Sequence, residues 1–67
     1  MLTIKDVKYY IKEIKNSRHD DEIAHEFEDS LYYDVLRSIS TGECEDPKEC
    51  ARLAVTTRNI SFDRWCA

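Results

Sequence analysis

The sequence predicts an all-α fold, a small three-helix bundle closed by a short C-terminal helical turn. Apolar residues recur at helical spacing in three segments, each segment opens on a residue suited to capping, and one Gly and one Pro leave few breaks in 67 residues. That length allows a single domain over residues 1–67, with about 60% of its unfolded surface buried on folding. In "TIKDVKYYIKEIK", Thr3 caps with Asp6 three residues on, while Ile4, Val7, Ile11 and Ile14 share one face, giving a helix over 4–15. The turn-favouring "NSRH" connects it at 16–19 to a second helix over 20–40, whose inner stripe is Ala24, Phe27, Leu31, Val35 and Ile39. Gly42 suits a left-handed residue past that helix end. In "EDPKE", Asp46 caps, Pro47 takes the first helical position and Glu49 closes a capping box, starting a helix over 47–58 that turns Cys50, Leu53, Ala54 and Thr57 inward. Ser61 then caps a last turn that docks Phe62 and Trp65.

Charge divides the chain unevenly. Residues 1–18 carry five Lys/Arg against two Asp/Glu, residues 19–34 carry seven acids and no Lys or Arg, and the remainder holds five of each, for a net charge of −4. Lys5, Lys8, Lys12 and Lys15 form a strip on helix 1, and on helix 2 Asp21, Glu22, Glu28 and Asp29 fall within about 60° of His25. A short connection makes these helices antiparallel neighbours, so the two stripes are expected to meet along a wet seam, at about 0 to 1 kcal/mol per pair.

Glu28 projects beside Leu31 and Val35, where a carboxylate needs a partner; a helix 1 lysine or a C-terminal arginine such as Arg64 fits that role. Glu22 and His25 have the Glu-x-x-His spacing that sets two ligands on one helix face in di-metal carboxylate bundles. With Glu28 and Asp29 they are candidate ligands for a hard divalent cation. No second Glu-x-x-His exists, so such a site requires an oligomer, and no cofactor is expected of the monomer. Cys44, Cys50 and Cys66, odd in number and without a CxxC pair, suit reduced thiols better than disulfides or zinc. No stretch reaches the roughly 18 apolar residues that cross a bilayer, and "MLTIKDVKYY" lacks the apolar run of a signal peptide. The expectation is a cytoplasmic protein without a membrane partner.

"HDDEIAHEFEDSLYYDVLRSIS", a following Gly, a "DP" helix start and the terminal "ISFDRWCA" resemble a family of small uncharacterised proteins encoded by bacteriophages, prophages and some bacteria. The shared pattern falls on His19, Asp20, Asp21, Glu22, Ala24, His25, Glu28, Asp29, Val35, Leu36, Arg64, Trp65 and Cys66 and spans about three quarters of the chain. The resemblance implies a phage setting and brings no reaction with it.

Two classes of function follow. The first is a phage-type accessory protein that binds a host or phage protein through Asp21, Glu22, His25, Glu28, Asp29 and Tyr32, in the manner of an inhibitor that covers a basic nucleic-acid-binding or defence protein. The alternative is a metal-dependent hydrolase of nucleotides built on the same carboxylates and histidine. Such enzymes need acidic motifs on several helices, and helix 3 supplies only Glu49. Direct nucleic-acid binding rests on the lysine strip alone and is disfavoured by the overall acidity. A homodimer is expected from the small core, with Tyr9, Tyr10 or Tyr33 as its exposed apolar surface.

Overall fold

The structure, a computed structural model, describes residues 1–64. Three helices follow in order: α1 (Ile4–Asn16), α2 (Asp21–Ser40) and α3 (Pro47–Val55), the last running into a 3-10 turn at Thr56–Asn59. Among the described residues there is no β-strand. Each boundary has a local cause. Thr3 Oγ1 accepts from the Asp6 N–H at 3.1 Å while the Thr3 N–H donates to Asp6 Oδ2 at 3.0 Å, a complete capping box. Asp20 caps α2 by accepting from the Ile23 N–H.

The end of α2 is a Schellman arrangement. Gly42 stands at φ +74°, its N–H donates to Ile39 O at 3.2 Å, and the Glu43 N–H reaches back to Ser38 O at 2.8 Å. This reversal carries residues 43–45 past the N-terminal segment. There the Leu2 N–H donates to Glu43 O and the Glu45 N–H to Leu2 O, both at 2.9 Å, forming an isolated parallel bridge between Leu2 and Cys44. Glu45 also accepts from the Ile4 N–H at 3.1 Å, satisfying another free donor at the start of α1.

At the start of α3, Asp46 accepts from the Glu49 N–H and Pro47 occupies the first turn, as the sequence predicts. Glu49 does not close the box. Its carboxylate instead makes a two-point bond to Arg52, at 2.7 and 2.6 Å, because an arginine one turn on offers a charged donor pair in place of one backbone N–H. The α-helix stops at Val55 rather than 58. The Thr56 hydroxyl donates back to Leu53 O, and the chain tightens into the 3-10 turn.

The core is Val7 and Ile14 from α1, Leu31 and Val35 from α2, Cys50 and Ala54 from α3, with Cys44 and Ile60 from the connections. The stripes on α1 and α3 follow their predicted faces. On α2 the stripe holds through Val35, while Ile39 is 38% exposed. Ser61–Arg64 do not form the expected capped helical turn: the helical turn lies earlier, at Thr56–Asn59, and residues 61–64 have no regular structure. Their polar groups are engaged across the fold, with the Asp63 N–H donating to Asp21 Oδ1 at 3.1 Å. Phe62 packs against the core; Trp65 and Cys66 lie outside the described residues.

Candidate functional site

The segment from Asp21 to Tyr32 is one continuous helix, so its side chains separate by direction. Glu22 and Asp29 are exposed together with Glu26, and His25 is half-buried with Nε2 3.6 Å from Asp29 Oδ1, four residues on. Asp21 serves the fold by holding the Asp63 N–H. Glu28 and Tyr32 turn the other way.

Glu28 is 2% exposed and sits at the centre of a polar node. Arg64 donates from Nε to Glu28 Oε1 at 2.8 Å and from Nη2 to Oε2 at 3.0 Å, and the Thr57 hydroxyl donates to Oε2 at 2.8 Å. With the Thr57 proton committed to the carboxylate, the Tyr32 O–H supplies the proton of the 2.7 Å bond between Tyr32 and Thr57. Arg64 also donates to Thr57 O at 2.8 Å, Ile60 O at 3.0 Å and Phe62 O at 3.3 Å, and its guanidinium lies 3.8 Å from the Phe62 ring centroid. Burial pushes the Glu28 carboxyl upward, but bonds from Arg64 and Thr57 and the charges of Arg64 and Arg58 outweigh it and hold Glu28 below the usual carboxylate range. Glu28 accepting from Arg64 is therefore the arrangement the apolar-stripe position predicts. Of the residues expected to bind, Glu28 and Tyr32 have their polar groups engaged inside the node. Thr57, read from the sequence only as inward-facing, is its hinge between helices.

The four candidate metal ligands do not converge. Among the described residues no three His, Cys, Asp or Glu side chains come together in a way that would hold a metal ion. Glu22, His25 and Asp29 lie on the outward side, whereas both Glu28 oxygens accept from Arg64.

The expected seam of lysines against acids is also corrected. Among the described residues no lysine of α1 lies within ion-pair distance of an α2 carboxylate. The α1–α2 contact is made instead by Tyr10, whose hydroxyl donates to Asp34 Oδ2 at 2.5 Å. That bond, with burial and the Asp34 and Asp6 charges, pushes the Tyr10 phenol up to about 12. Tyr10 is thus a strut rather than an exposed patch, while Tyr9 and Tyr33 are exposed. Lys8, Lys12 and Lys15 border a cleft on the other flank of α1, against α3. A second, apolar groove runs between α2 and α3, with Leu36 and Val55 exposed on its rims.

No family model, curated protein or solved structure matches this chain. Among the described residues, no helix is long and apolar enough to cross a membrane.

Proposed function

We propose that this chain is a protein-interaction module that binds a basic surface of a partner through the outward face of α2, as a small accessory protein of the phage or prophage type in the host cytoplasm. The carrying observation is that Glu22, Glu26 and Asp29 stand exposed on one helix with no Lys or Arg within ion-pair distance, Asp29 being engaged by His25. A folded helix fixes these carboxylates in a row, and a fixed row of negative charge complements a groove made for phosphates. The partner class that follows is a nucleic-acid-binding or defence protein of the host, held by covering its basic groove.

Replacing Glu22, His25 and Asp29 together by Ala changes stability by no more than about 1 to 2 kcal/mol, since exposed charges contribute little and Ala favours helix. A nuclease-treated pull-down from host lysate with wild type and triple variant tests the reading. The expected result is a basic protein captured by wild type, released by added DNA and absent with the folded variant. Equal capture by both rejects it. Titration with Mg²⁺, Mn²⁺ and Zn²⁺ addresses the hydrolase alternative, which requires a binding signal lost on Glu22→Ala.

A further inference from the structure

We infer that the cleft between α1 and α3 is the docking site for the acidic α2 face of a second copy of this chain. The inference rests on the reading of α2 as a binding surface and names a partner for it. The cleft, about 430 Å³, is bordered by Lys8, Lys12 and Lys15, with Ile11 and Leu53 half-buried between its walls. All three lysines are exposed, and among the described residues none makes an ion pair. Lys8 and Lys15 are about 10 Å apart along the helix, the length of two turns. A groove with a positive wall and an apolar floor takes an acidic helix whose carboxylates span about that length, as Glu22 to Asp29 do, beside a shorter apolar ridge.

The chain itself presents such a helix. Ile23, 44% exposed, and half-buried Phe27 are four residues apart on α2, flanked by the exposed Glu22 and Glu26 at the same spacing. Charge decides for this occupant over a nucleic acid. A long polyanion reaching the lysines also meets the field of a chain with net charge −4 and seven acids in residues 19–34, whereas a second copy brings that acidic segment onto lysines that, among the described residues, make no salt bridge in the monomer, Lys8 acting on Glu49 only at longer range. The cleft lies at the α1–α3 seam and the acids on α2, so the contact is heterologous, and copies add head to tail into a ring or chain. Exposed ion pairs are individually weak, so the association is weak and salt-dependent.

Sedimentation velocity over a concentration series tests this with three forms of the chain: wild type, Lys8→Glu/Lys12→Glu/Lys15→Glu, and Glu22→Lys/Glu26→Lys. Wild type is expected to self-associate at low salt, with the association constant falling by about tenfold or more in about 0.5 M NaCl. Each variant alone is expected to stay monomeric while retaining the wild-type circular dichroism. Mixed, the two variants are expected to form a 1:1 complex, because the first keeps the acidic face and the second keeps the cleft. A wild type that remains monomeric at low salt overturns the inference, as does a mixture that does not associate. Association that survives salt and the lysine variant but disappears with Leu36→Glu places the contact in the α2–α3 groove and overturns it too. Tight binding of a labelled oligonucleotide by the cleft of a monomeric wild type assigns the cleft to nucleic acid instead. If wild type is monomeric yet Glu22→Lys/Glu26→Lys loses a captured partner, self-docking fails while the α2 reading stands; self-association with capture unaffected by that variant gives the reverse.

Discussion

Glu28 and Arg64 show how one buried charge organises the residues around it. The carboxylate fills its acceptor positions with Arg64 and Thr57, and Arg64 uses its remaining donors on three carbonyls, so removing either partner strands several groups at once. Glu28→Ala is expected to cost about 3 kcal/mol in urea unfolding, against about 0.5 kcal/mol or less for Glu22→Ala on the exposed face. The pH dependence follows from the sign of the shift. Glu28 is held below its ordinary value of 4.5, so its contribution is complete above that value and is lost as pH falls through the lower folded-state value. Wild type is therefore expected to lose stability in that acid range, and Glu28→Gln to show a shallower loss there. The need for a partner is legible in the sequence, since a carboxylate in register with Leu31 and Val35 cannot stay unpaired, and Arg64 is among the residues that can supply it. The three carbonyl bonds were not legible. They depend on the irregular path of residues 60–63, which no periodicity encodes.

At the scale of elements, capping residues placed the starts of α1 and α3, because caps act within four residues of sequence, while Asp20, expected as the first residue of the second helix, is its cap. The ends were harder: α3 passes from α-helix to 3-10 turn at Thr56, whose hydroxyl donates back to Leu53 O. The α1 sequence shows the lysine strip but not the neighbour it faces. A helical wheel fixes directions around one axis, but two helices flank α1, and its rotation in the bundle decides which flank each receives. Tyr10 toward Asp34 sets that rotation and sends Lys8, Lys12 and Lys15 toward α3. Because its raised value marks a neutral phenol favoured in the fold, the Tyr10 contribution is present below pH 10 and is lost as pH rises toward 12. Alkaline melting is expected to show that loss in wild type and to lack it in Tyr10→Phe. Gly42→Ala meets no atom within 4 Å but must hold φ +74°, and is expected to destabilise by about 1 kcal/mol without changing the helical content seen by circular dichroism.

For the whole molecule, size was the strongest constraint the sequence offered. A chain of 67 residues has a small margin of stability, and here it is supplemented at both ends of the described region. Leu2 is tied to the α2–α3 connection, and Arg64 is tied to the middle of α2. Helix number, order and most of the core were legible because they follow from composition and spacing. The outward acids of α2 were legible as a pattern and Glu28 stood apart by its apolar register, but a solvated face and a binding face have the same spacing, so only geometry separated Glu22, His25 and Asp29 from Tyr32.

The tie at Arg64 also bears on the order in which the chain assembles. Glu28 and Arg64 are 36 positions apart, whereas each helix closes hydrogen bonds four positions apart, so the helices precede the closing of this clamp. Interactions that form after the rate-limiting step leave the folding rate nearly unchanged and are felt when the chain opens. Stopped-flow measurements on Arg64→Ala are accordingly expected to give faster unfolding with a φ-value near zero, and a refolding rate that falls in proportion to the lost stability would place the clamp in the nucleus instead.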